Sequence, residues 1–163
     1  NGEITQMTGG TPEHNEISSI FNAILRMALK GKPYSIFVAD QRLWIPDRNL
    51  YTYPDAMVVP RPIQLQSGRT DTITNPLAIA EVLSKSTKSY DRDEKFAAYR
   101  AIPTFQEYVL IDQYTPHVEQ YTKTNSQTWI FSEYNGLDSS FILTSISVEI
   151  SLADLYEGIE FQK

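Results

Sequence analysis

The sequence predicts a mixed α/β (α+β) fold in which helices flank a central mixed sheet. Apolar residues follow a helical period near the N-terminus and again in the middle of the chain, whereas between and after these segments they follow a strand period. The chain has 163 residues, which is long enough for one domain with its own core. We therefore expect residues 1–163 to form a single domain.

A short strand and a long helix are predicted at the N-terminus. Residues 2–7 alternate apolar and polar side chains, as a strand does, before a pair of glycines. Thr11 can cap a helix that begins at Pro12, where the missing N–H of proline has no cost, and Gly31 is a typical helix stop. One face of this helix carries the apolar residues Ile17, Ile20, Phe21, Ile24, Leu25 and Ala28.

Strands and one long loop are predicted after this helix. Aromatic and β-branched residues predict strands over residues 34–38, 42–45 and 51–59. Pro54 interrupts the third strand, which indicates an edge, a bulge or a bend at that point. Residues 61–76 are polar and rich in turn-forming residues, so we expect a loop there, and loops of this length are often functional.

The second half of the chain is predicted to contain another helix and most of the remaining strands. An apolar run over residues 77–83 contains one acid, Glu81. A helix is expected to begin at Asp91 and to end before Pro103. The patterns that follow predict a β-meander over residues 107–111, 118–122 and 128–132, a strand over 141–148, and a short closing helix from Ser151 or Leu152 to Tyr156.

The composition limits the kinds of site and location. The chain has no cysteine, which excludes disulfides, thiolate zinc sites and thiol nucleophiles and agrees with a reducing compartment, so we expect a cytoplasmic protein. No apolar run is long enough to span a membrane, so no membrane partner is expected. The net charge of −6 disfavours tight binding of a nucleic-acid duplex through overall charge. A carboxylate metal site is acidic locally, however, so this charge excludes no metal-dependent activity on DNA.

Two acidic residues lie in segments that otherwise predict buried strands. Burial of an unpaired Glu81 carboxylate among apolar neighbours is costly, so a metal, a cation or a proton would have to offset its charge. Alternatively, strand alternation points Glu81 outward from an exposed sheet face. Asp55 follows Pro54, which can redirect its side chain, and the alternative is a surface aspartate in a turn. If their strands are neighbours, the two carboxylates supply oxygen ligands of the kind that magnesium requires.

Lys95 is the third candidate for a role in chemistry. If the predicted helix packs this side chain against the two acids, its ammonium group could orient an attacking water or offset charge on a phosphate. Alternatively, Lys95 pairs with Asp91, four residues earlier on a solvated helix, which contributes only a few tenths of a kcal/mol. Tyr99 lies one turn further on the same face and is an accessory candidate, although an aromatic residue at this spacing is typical of a core.

Several sequence blocks occur in an order that is typical of one family. They are Tyr53-Pro54-Asp55, Glu81–Thr87, Tyr90–Arg100, Ile102-Pro103 and Glu107–Asp112, and with Gly2-Glu3-Ile4, Pro12 and His14 they cover residues 2 to about 132. In these blocks the chain resembles the Uma-two family, a large group of bacterial proteins classed as restriction endonucleases within the PD-(D/E)XK nuclease superfamily. The resemblance implies a restriction-endonuclease-like core with an added β-meander. It also implies that family residues preceding this stretch are missing from the sequence.

The resemblance implies roles for individual residues. Asp55 matches the acid of the first half-motif and Glu81 the acid of the second, and both are implied ligands of magnesium or manganese together with the backbone carbonyl of Val82. Leu83 stands where the superfamily pattern has lysine. This departure implies that the lysine has moved to the following helix as Lys95.

Two further residues are accessory candidates. Lys85 is the rival for the role of the lysine, although it lies beyond the end of the predicted strand. His14 occupies a position at which the family often has histidine, which implies a place in the site. Alternatively, a histidine in the first turn of a helix is a local hydrogen-bonding residue.

Two hypotheses for function follow. The first is a metal-dependent DNA endonuclease that hydrolyses phosphodiester bonds, and the second is a catalytically silent nuclease-fold module that binds protein or DNA. Superfamily members commonly cut DNA as homodimers, so the resemblance implies a homodimer. Aromatic residues predicted to be exposed in the β-rich segment 107–148 are the expected contact, namely Tyr114, Tyr121, Trp129 and Tyr134.

Overall fold

The computed structural model describes residues 10–161, and its elements follow largely the predicted order. The strand predicted over residues 2–7 lies outside the described residues. The helices are α1 (Pro12–Ala28), α2 (Lys88–Tyr90), α3 (Phe96–Tyr99) and α4 (Leu152–Leu155), with a 3-10 turn at Pro46–Arg48 and a π-helical turn at Asp91–Lys95 that joins α2 to α3. The strands are β1 (Tyr34–Val38), β2 (Arg42–Ile45), β3 (Leu50–Thr52), β4 (Ala56–Pro60), β5 (Thr72–Ile73), β6 (Ala78–Leu83), β7 (Glu107–Asp112), β8 (His117–Lys123), β9 (Trp129–Asn135), β10 (Ser140–Leu143) and β11 (Val148–Ser151).

Six strands form the central sheet in the order β1-β4-β6-β7-β8-β9. The pair β6–β7 is parallel and the other neighbours are antiparallel, so the sheet is mixed, as predicted. On one face, α1, α4 and the hairpin β10–β11 enclose a hydrophobic core. On the other face, α3 and the small sheet β3-β2-β5 enclose a second core. Strands β4, β6 and β7 therefore contact a core on both sides, which explains why nearly all of their residues are buried.

Helix α1 has the cap and the buried face that its sequence predicts. The Thr11 hydroxyl accepts a hydrogen bond from the backbone N–H of His14 at 3.1 Å, and Pro12 occupies the first helical position. The buried residues of the apolar face are Ile17, Phe21 and Leu25. The cap fixes His14 in the first turn of the helix.

Among the described residues, no helix is both long and apolar enough to cross a membrane.

The strand predicted over residues 51–59 is interrupted at Pro54, as predicted, but its two halves are separate strands in different sheets. Strand β3 pairs with β2 in the small sheet, whereas β4 pairs with β1 and β6 in the central sheet. The chain passes from one sheet to the other at Pro54-Asp55, since proline has no N–H for a continuous ladder. This bend places Asp55 immediately before β4.

Three other predicted elements have different bounds in the structure. The strand predicted over residues 141–148 is the hairpin β10–β11, whose turn contains Ser147 with a φ of 53°. The second helix begins at Lys88 rather than Asp91. The loop predicted over residues 61–76 contains β5, which pairs with β2. These features depend on tertiary pairing, which local sequence patterns do not encode.

Glu107 joins the hairpin β10–β11 to the central sheet. Its carboxylate is fully buried and accepts hydrogen bonds from the backbone and side chain of both Thr144 and Ser145, and from the side chain of Gln120. A buried carboxylate with this many donors is satisfied without a cation. Glu107 is therefore a structural residue of the hairpin contact.

Candidate active site

Asp55 and Glu81 lie together because β4 and β6 are neighbouring strands. Ala56 pairs with Ala80, so the residues just before β4 and near the end of β6 meet across the ladder. Asp55 Oδ2 accepts a hydrogen bond from the backbone N–H of Val82 at 2.8 Å, and the backbone N–H of Asp55 lies 3.4 Å from Glu81 Oε2. The two acids singled out in the sequence thus belong to one site at the end of β6.

Glu81 is buried, so the interpretation of an outward-pointing side chain on an exposed sheet face was wrong. Only 2% of Glu81 is exposed. The Tyr99 hydroxyl donates a hydrogen bond to Glu81 Oε1 at 2.7 Å. Burial raises the pKa of Glu81 to about 7, although the positive charge of Lys95 opposes this shift. The carboxylate is therefore poised between its neutral and ionised forms near neutral pH.

Lys95 contacts two buried carboxylates at once. Its Nζ lies 3.1 Å from Glu81 Oε1 and 2.8 Å from Asp91 Oδ1. Burial lowers the pKa of Lys95, but the charges of Glu81 and Asp91 outweigh burial and raise this pKa above its ordinary value, so the side chain is a cation. The pair with Asp91 expected on a solvated helix is present, but Asp91 is buried. The Asp91–Lys95 ion pair is therefore shielded from the solvent that weakens exposed ion pairs.

The π-helical turn and Tyr108 explain how Asp91 reaches this site. Asp91 and Lys95 are the first and last residues of the π-helical turn, a wide turn that is often found at functional sites. The Tyr108 hydroxyl, which is buried, donates a hydrogen bond to the backbone carbonyl of Asp91 at 2.9 Å. The helical segment is thus anchored to β7 at the residue that pairs with Lys95.

His14 contacts Asp55 from the first turn of α1. Its Nε2 lies 3.2 Å from Asp55 Oδ2. The hydrogen bond to Asp55 raises the pKa of His14, and partial burial opposes this rise. Gly10 lies against the imidazole, since a Cβ atom at Gly10 would stand 2.9 Å from His14 Nδ1. His14 is thus part of the same cluster as the two acids.

Gln113 completes a ring of hydrogen bonds around the site, and sequence analysis missed it. Its Nε2 donates to the carbonyl of Leu83 at 2.7 Å, and its Oε1 accepts from the Thr11 hydroxyl at 2.6 Å. Thr11 also caps the helix that carries His14. The ring therefore links the end of β6 to the start of α1. The only signal in the sequence was a polar residue directly after the apolar strand that ends at Asp112.

The structure places Lys85 and Tyr99 differently. Lys85 is exposed, and its Nζ lies over the ring of Tyr114, 5.3 Å from the ring centroid. Within residues 10–161, Lys85 makes no ion pair with either acid of the site. Tyr99 is fully buried, and burial raises the pKa of its hydroxyl well above the ordinary value, so the hydroxyl stays a hydrogen-bond donor. Tyr99 is therefore both a core residue and a contact of Glu81.

A second group of side chains has the spacing of metal ligands. In the part of the chain that the structure describes, ligand atoms of His117, Glu119 and Glu133 lie within 4.8 Å of one another. The Arg92 guanidinium already contacts both carboxylate oxygens of Glu119, with Nε 2.9 Å from Oε2. Burial raises the pKa of Glu119, but this contact and that of His117 outweigh it and hold the pKa below its usual value. Because Arg92 neutralises the charge of Glu119, this group is a poorer cation site than Asp55 and Glu81.

The donors at Asp55 and Glu81 fit magnesium or manganese. Both ions prefer oxygen ligands, and the two side chains supply carboxylate oxygens from adjacent strands. Lys95 and Tyr99 both contact Oε1 of Glu81, while Oε2 faces Asp55. Burial of Glu81 without full charge compensation is what raises its pKa, and a divalent cation would supply the missing compensation.

Comparison with known proteins shows which family has this fold and these sequence blocks. The model of the Uma2 family, described as "Putative restriction endonuclease", matches residues 1–154, and the chain belongs to this family. The resemblance noted in the sequence blocks is thereby confirmed.

Proteins of known sequence and structure agree with this assignment. The chain is 39% identical to one uncharacterised protein of Synechocystis sp. PCC 6803 over 83% of this chain and 76% of that protein, and 32% identical to another over 98% and 83%. A crystal structure from Anabaena variabilis, described as that of a putative nuclease belonging to DUF820, matches this fold with a TM-score of 0.79. It shares 17% sequence identity and is matched over 98% of this chain and 88% of that one, which shows the common fold. The predicted fold class is confirmed.

Proposed function

We propose that this protein is a metal-dependent DNA endonuclease that hydrolyses phosphodiester bonds. In this proposal Asp55, Glu81 and the backbone carbonyl of Val82 bind magnesium or manganese. The observation that carries the proposal is the meeting of Asp55 and buried Glu81 on neighbouring strands, beside a lysine that is itself largely buried. Isolated buried carboxylates are costly, so their association with one cation at the edge of a core favours a functional site.

Each side chain of the cluster has a chemical task in this proposal. When bound, the divalent ion activates water and stabilises charge on a phosphate oxygen. The Lys95 ammonium keeps its proton and places a positive charge beside Glu81, where it can stabilise negative charge that develops on the substrate. The Tyr99 hydroxyl fixes the orientation of Glu81 through Oε1. His14 holds Asp55 Oδ2 through Nε2, and the rise in its pKa favours the protonated ring.

A catalytically silent module is the second candidate function. The acidic net charge of −6 favours this alternative over a tight DNA-binding enzyme. The existing contacts of Glu81 with Lys95 and Tyr99 also compensate part of its charge without a metal. The two functions differ in whether a divalent ion binds and whether a phosphodiester is cut.

Metal binding and cleavage are tested with the same set of variants. A ligand at a hundred times its dissociation constant stabilises a protein by about 2.7 kcal/mol, so magnesium or manganese should raise the melting temperature of the parent by several degrees. Asp55→Ala should abolish this rise and leave the protein folded. An equal rise in the double variant Asp55→Ala, Glu81→Ala would contradict the metal site.

Cleavage of plasmid and single-stranded DNA in the presence of magnesium or manganese separates the two functions. Loss of one positioned electrostatic group lowers rates by about a hundredfold or more, and this is the loss expected for Lys95→Met. Lys85→Met is the matched control, because it removes the same charge from an exposed side chain that lies over Tyr114. A parent that binds the metal through Asp55 but cuts no DNA would favour the silent module.

We also propose that the protein forms a homodimer through strand β9. Three of the four aromatic residues expected at the contact are half-buried: Tyr121 and Trp129 pack on Phe96, and Tyr134 packs on Phe141. The expectation of exposed side chains therefore holds only for Tyr114. Strand β9 is nevertheless an edge of the central sheet and carries two largely exposed apolar residues, Ile130 and Phe131. Unprotected apolar edges of this kind favour pairing with another strand.

A further inference from the structure

A groove at the C-terminal end of α1 collects four cations. It lies between this end of the helix and β1, has a volume of about 440 Å³, and is lined by Arg26, Lys30, Lys32 and Arg61. Among residues 10–161, no aspartate or glutamate lines it. We call it the basic groove. It holds four of the fourteen lysines and arginines of a chain whose net charge is −6.

The two arginines of the basic groove are fixed by hydrogen bonds to uncharged groups. Arg26 donates to the carbonyl of Ile36 at 2.9 Å and to Asn22 Oδ1 at 3.2 Å. Arg61 donates to the hydroxyl of Ser35 at 3.0 Å. Their guanidinium groups are therefore held at the groove, while no ion pair among residues 10–161 neutralises their charge.

The cations of the basic groove differ from five other cations in the part of the chain that the structure describes. Within the described part of the chain, none of the four forms an ion pair with a carboxylate. Five other cations do form such pairs: Arg42, Arg69, Lys88, Arg92 and Lys95. Four positive charges that share one concave surface repel one another, so an anion with several charges would lower their electrostatic energy.

The basic groove and the candidate active site lie at opposite ends of one strand. Asp55 immediately precedes β4 and Arg61 immediately follows it. Six residues of extended chain span about 20 Å. Since the backbone of B-DNA advances about 3.4 Å per nucleotide along its axis, this distance corresponds to about six nucleotides. A nucleic acid with a phosphate at Asp55 and Glu81 is therefore long enough to place other phosphates in the groove.

From this arrangement we propose that the basic groove binds the phosphodiester backbone of a nucleic acid, about six nucleotides from the bond at Asp55 and Glu81. The choice of nucleic acid as the occupant rests on the proposed function. The basic groove supplies, at one place, the phosphate contacts that the overall charge of the protein disfavours. Recognition of the backbone there depends on charge and carries no base specificity.

The test measures nucleic-acid binding separately from cleavage. A fluorescent mixed-sequence duplex of about 30 base pairs, and one of its single strands, are titrated with protein in EDTA over a series of salt concentrations, and binding is followed by anisotropy. The groove variant is Lys30→Gln, Lys32→Gln, because both side chains are exposed and their replacement leaves the core unchanged. The matched control is Arg48→Gln, Lys123→Gln, which removes two cations outside the groove. Arg61→Gln is then added to the groove variant.

We expect the groove variant to bind DNA at least about fivefold more weakly than the parent at low salt. The slope of log affinity against log salt should become shallower by about one to two, because each phosphate contact contributes about 0.9 to this slope for a duplex. Adding Arg61→Gln should weaken binding again. The control pair should change affinity by less than about twofold.

Several outcomes would overturn the assignment of the basic groove. Equal losses in the groove and control variants would show an effect of total charge alone, and an unchanged affinity in the groove variant would exclude the contact. Tighter binding to vesicles of anionic phospholipid, lost through the same substitutions, would identify a membrane surface as the occupant. Groove-dependent DNA binding in a parent that neither binds manganese nor cuts DNA would refute the proposed function and leave the groove assignment standing.

Discussion

Replacement of Lys95 by methionine is expected to destabilise the protein by about 3 kcal/mol at about pH 8. Methionine keeps the length and most of the packing of the lysine stem but removes the cation. The Lys95 ammonium contacts Glu81 at 3.1 Å and Asp91 at 2.8 Å, and both carboxylates are buried. In the variant, no positive charge lies between the carboxylates of Glu81 and Asp91.

The magnitude follows from the burial of the three groups. Removing one partner of a buried ion pair costs about 3–5 kcal/mol, since the remaining charge has lost both water and its partner. We expect the lower end of this range because 17% of the Lys95 side chain is exposed and because Glu81 can take up a proton. The alternative that the sequence left open, a weak and solvated pair with Asp91, would have given well under 1 kcal/mol.

The loss of unfolding free energy in Lys95→Met should become smaller as the pH falls. Burial raises the pKa of Glu81 to about 7, above that of an unfolded chain, and loss of Lys95 would raise it further. A group with a raised pKa takes up a proton on folding, so it favours the folded state more as the pH falls. The cost of Lys95→Met should therefore decrease to about 1–2 kcal/mol at about pH 5.5, where Glu81 of the folded variant is protonated.

Urea unfolding at both pH values, followed by circular dichroism, measures these free energies. Lys88→Met is the matched control, because Lys88 lies in the neighbouring turn but its Nζ is 3.6 Å from Asp112 and 48% of its side chain is exposed. Its replacement should cost less than about 1 kcal/mol. If Lys95→Met costs no more than Lys88→Met at about pH 8, the buried triad of charges is not a feature of the protein in solution.

Three further predictions concern the metal, the fold and the assembly. A proton competes with the ion for Glu81, whose pKa is about 7. The affinity for manganese, measured by calorimetry, should therefore fall by up to about tenfold per pH unit below about pH 7 and level off above it. An affinity that does not change between about pH 5 and 7 would exclude Glu81 as a ligand. Glu107→Leu should destabilise the protein by about 3 kcal/mol in urea unfolding because the buried amide of Gln120 and the part-buried donors of Thr144 and Ser145 lose their acceptor, whereas Glu149→Gln, at an exposed position, should cost less than about 1 kcal/mol. Light scattering should report a dimer that dissociates in Phe131→Lys, and an 18.6 kDa species at micromolar concentration for the parent would remove the proposed β9 contact.

The sequence was sufficient to predict the elements that depend on local signals. Helix α1 could be predicted because Thr11, Pro12 and the apolar face all act within the helix itself. The association of Asp55 with Glu81 could be anticipated because an acid within each of two apolar strands requires compensation. The split at Pro54 could not be predicted in detail, since it depends on which sheet each half of the segment joins.

Long-range side-chain contacts were the part that sequence analysis could not supply. Thr11 and Gln113 are 102 residues apart, and no spacing rule connects them. Likewise, the fact that Asp91 is buried beside Lys95 depends on the π-helical turn and on the anchor from Tyr108, neither of which has a local pattern. From the sequence, the packing of Lys95 against the acids and a solvated pair with Asp91 therefore both stayed open, and the structure places the pair in the buried cluster.

The central claim is that Asp55 and Glu81 bind one divalent ion. The most direct test is a crystal of the parent protein soaked in manganese, with anomalous data collected at a wavelength at which manganese scatters strongly. We predict an anomalous peak in contact with carboxylate oxygens of both Asp55 and Glu81. A peak at His117, Glu119 and Glu133, with none between Asp55 and Glu81, would contradict it.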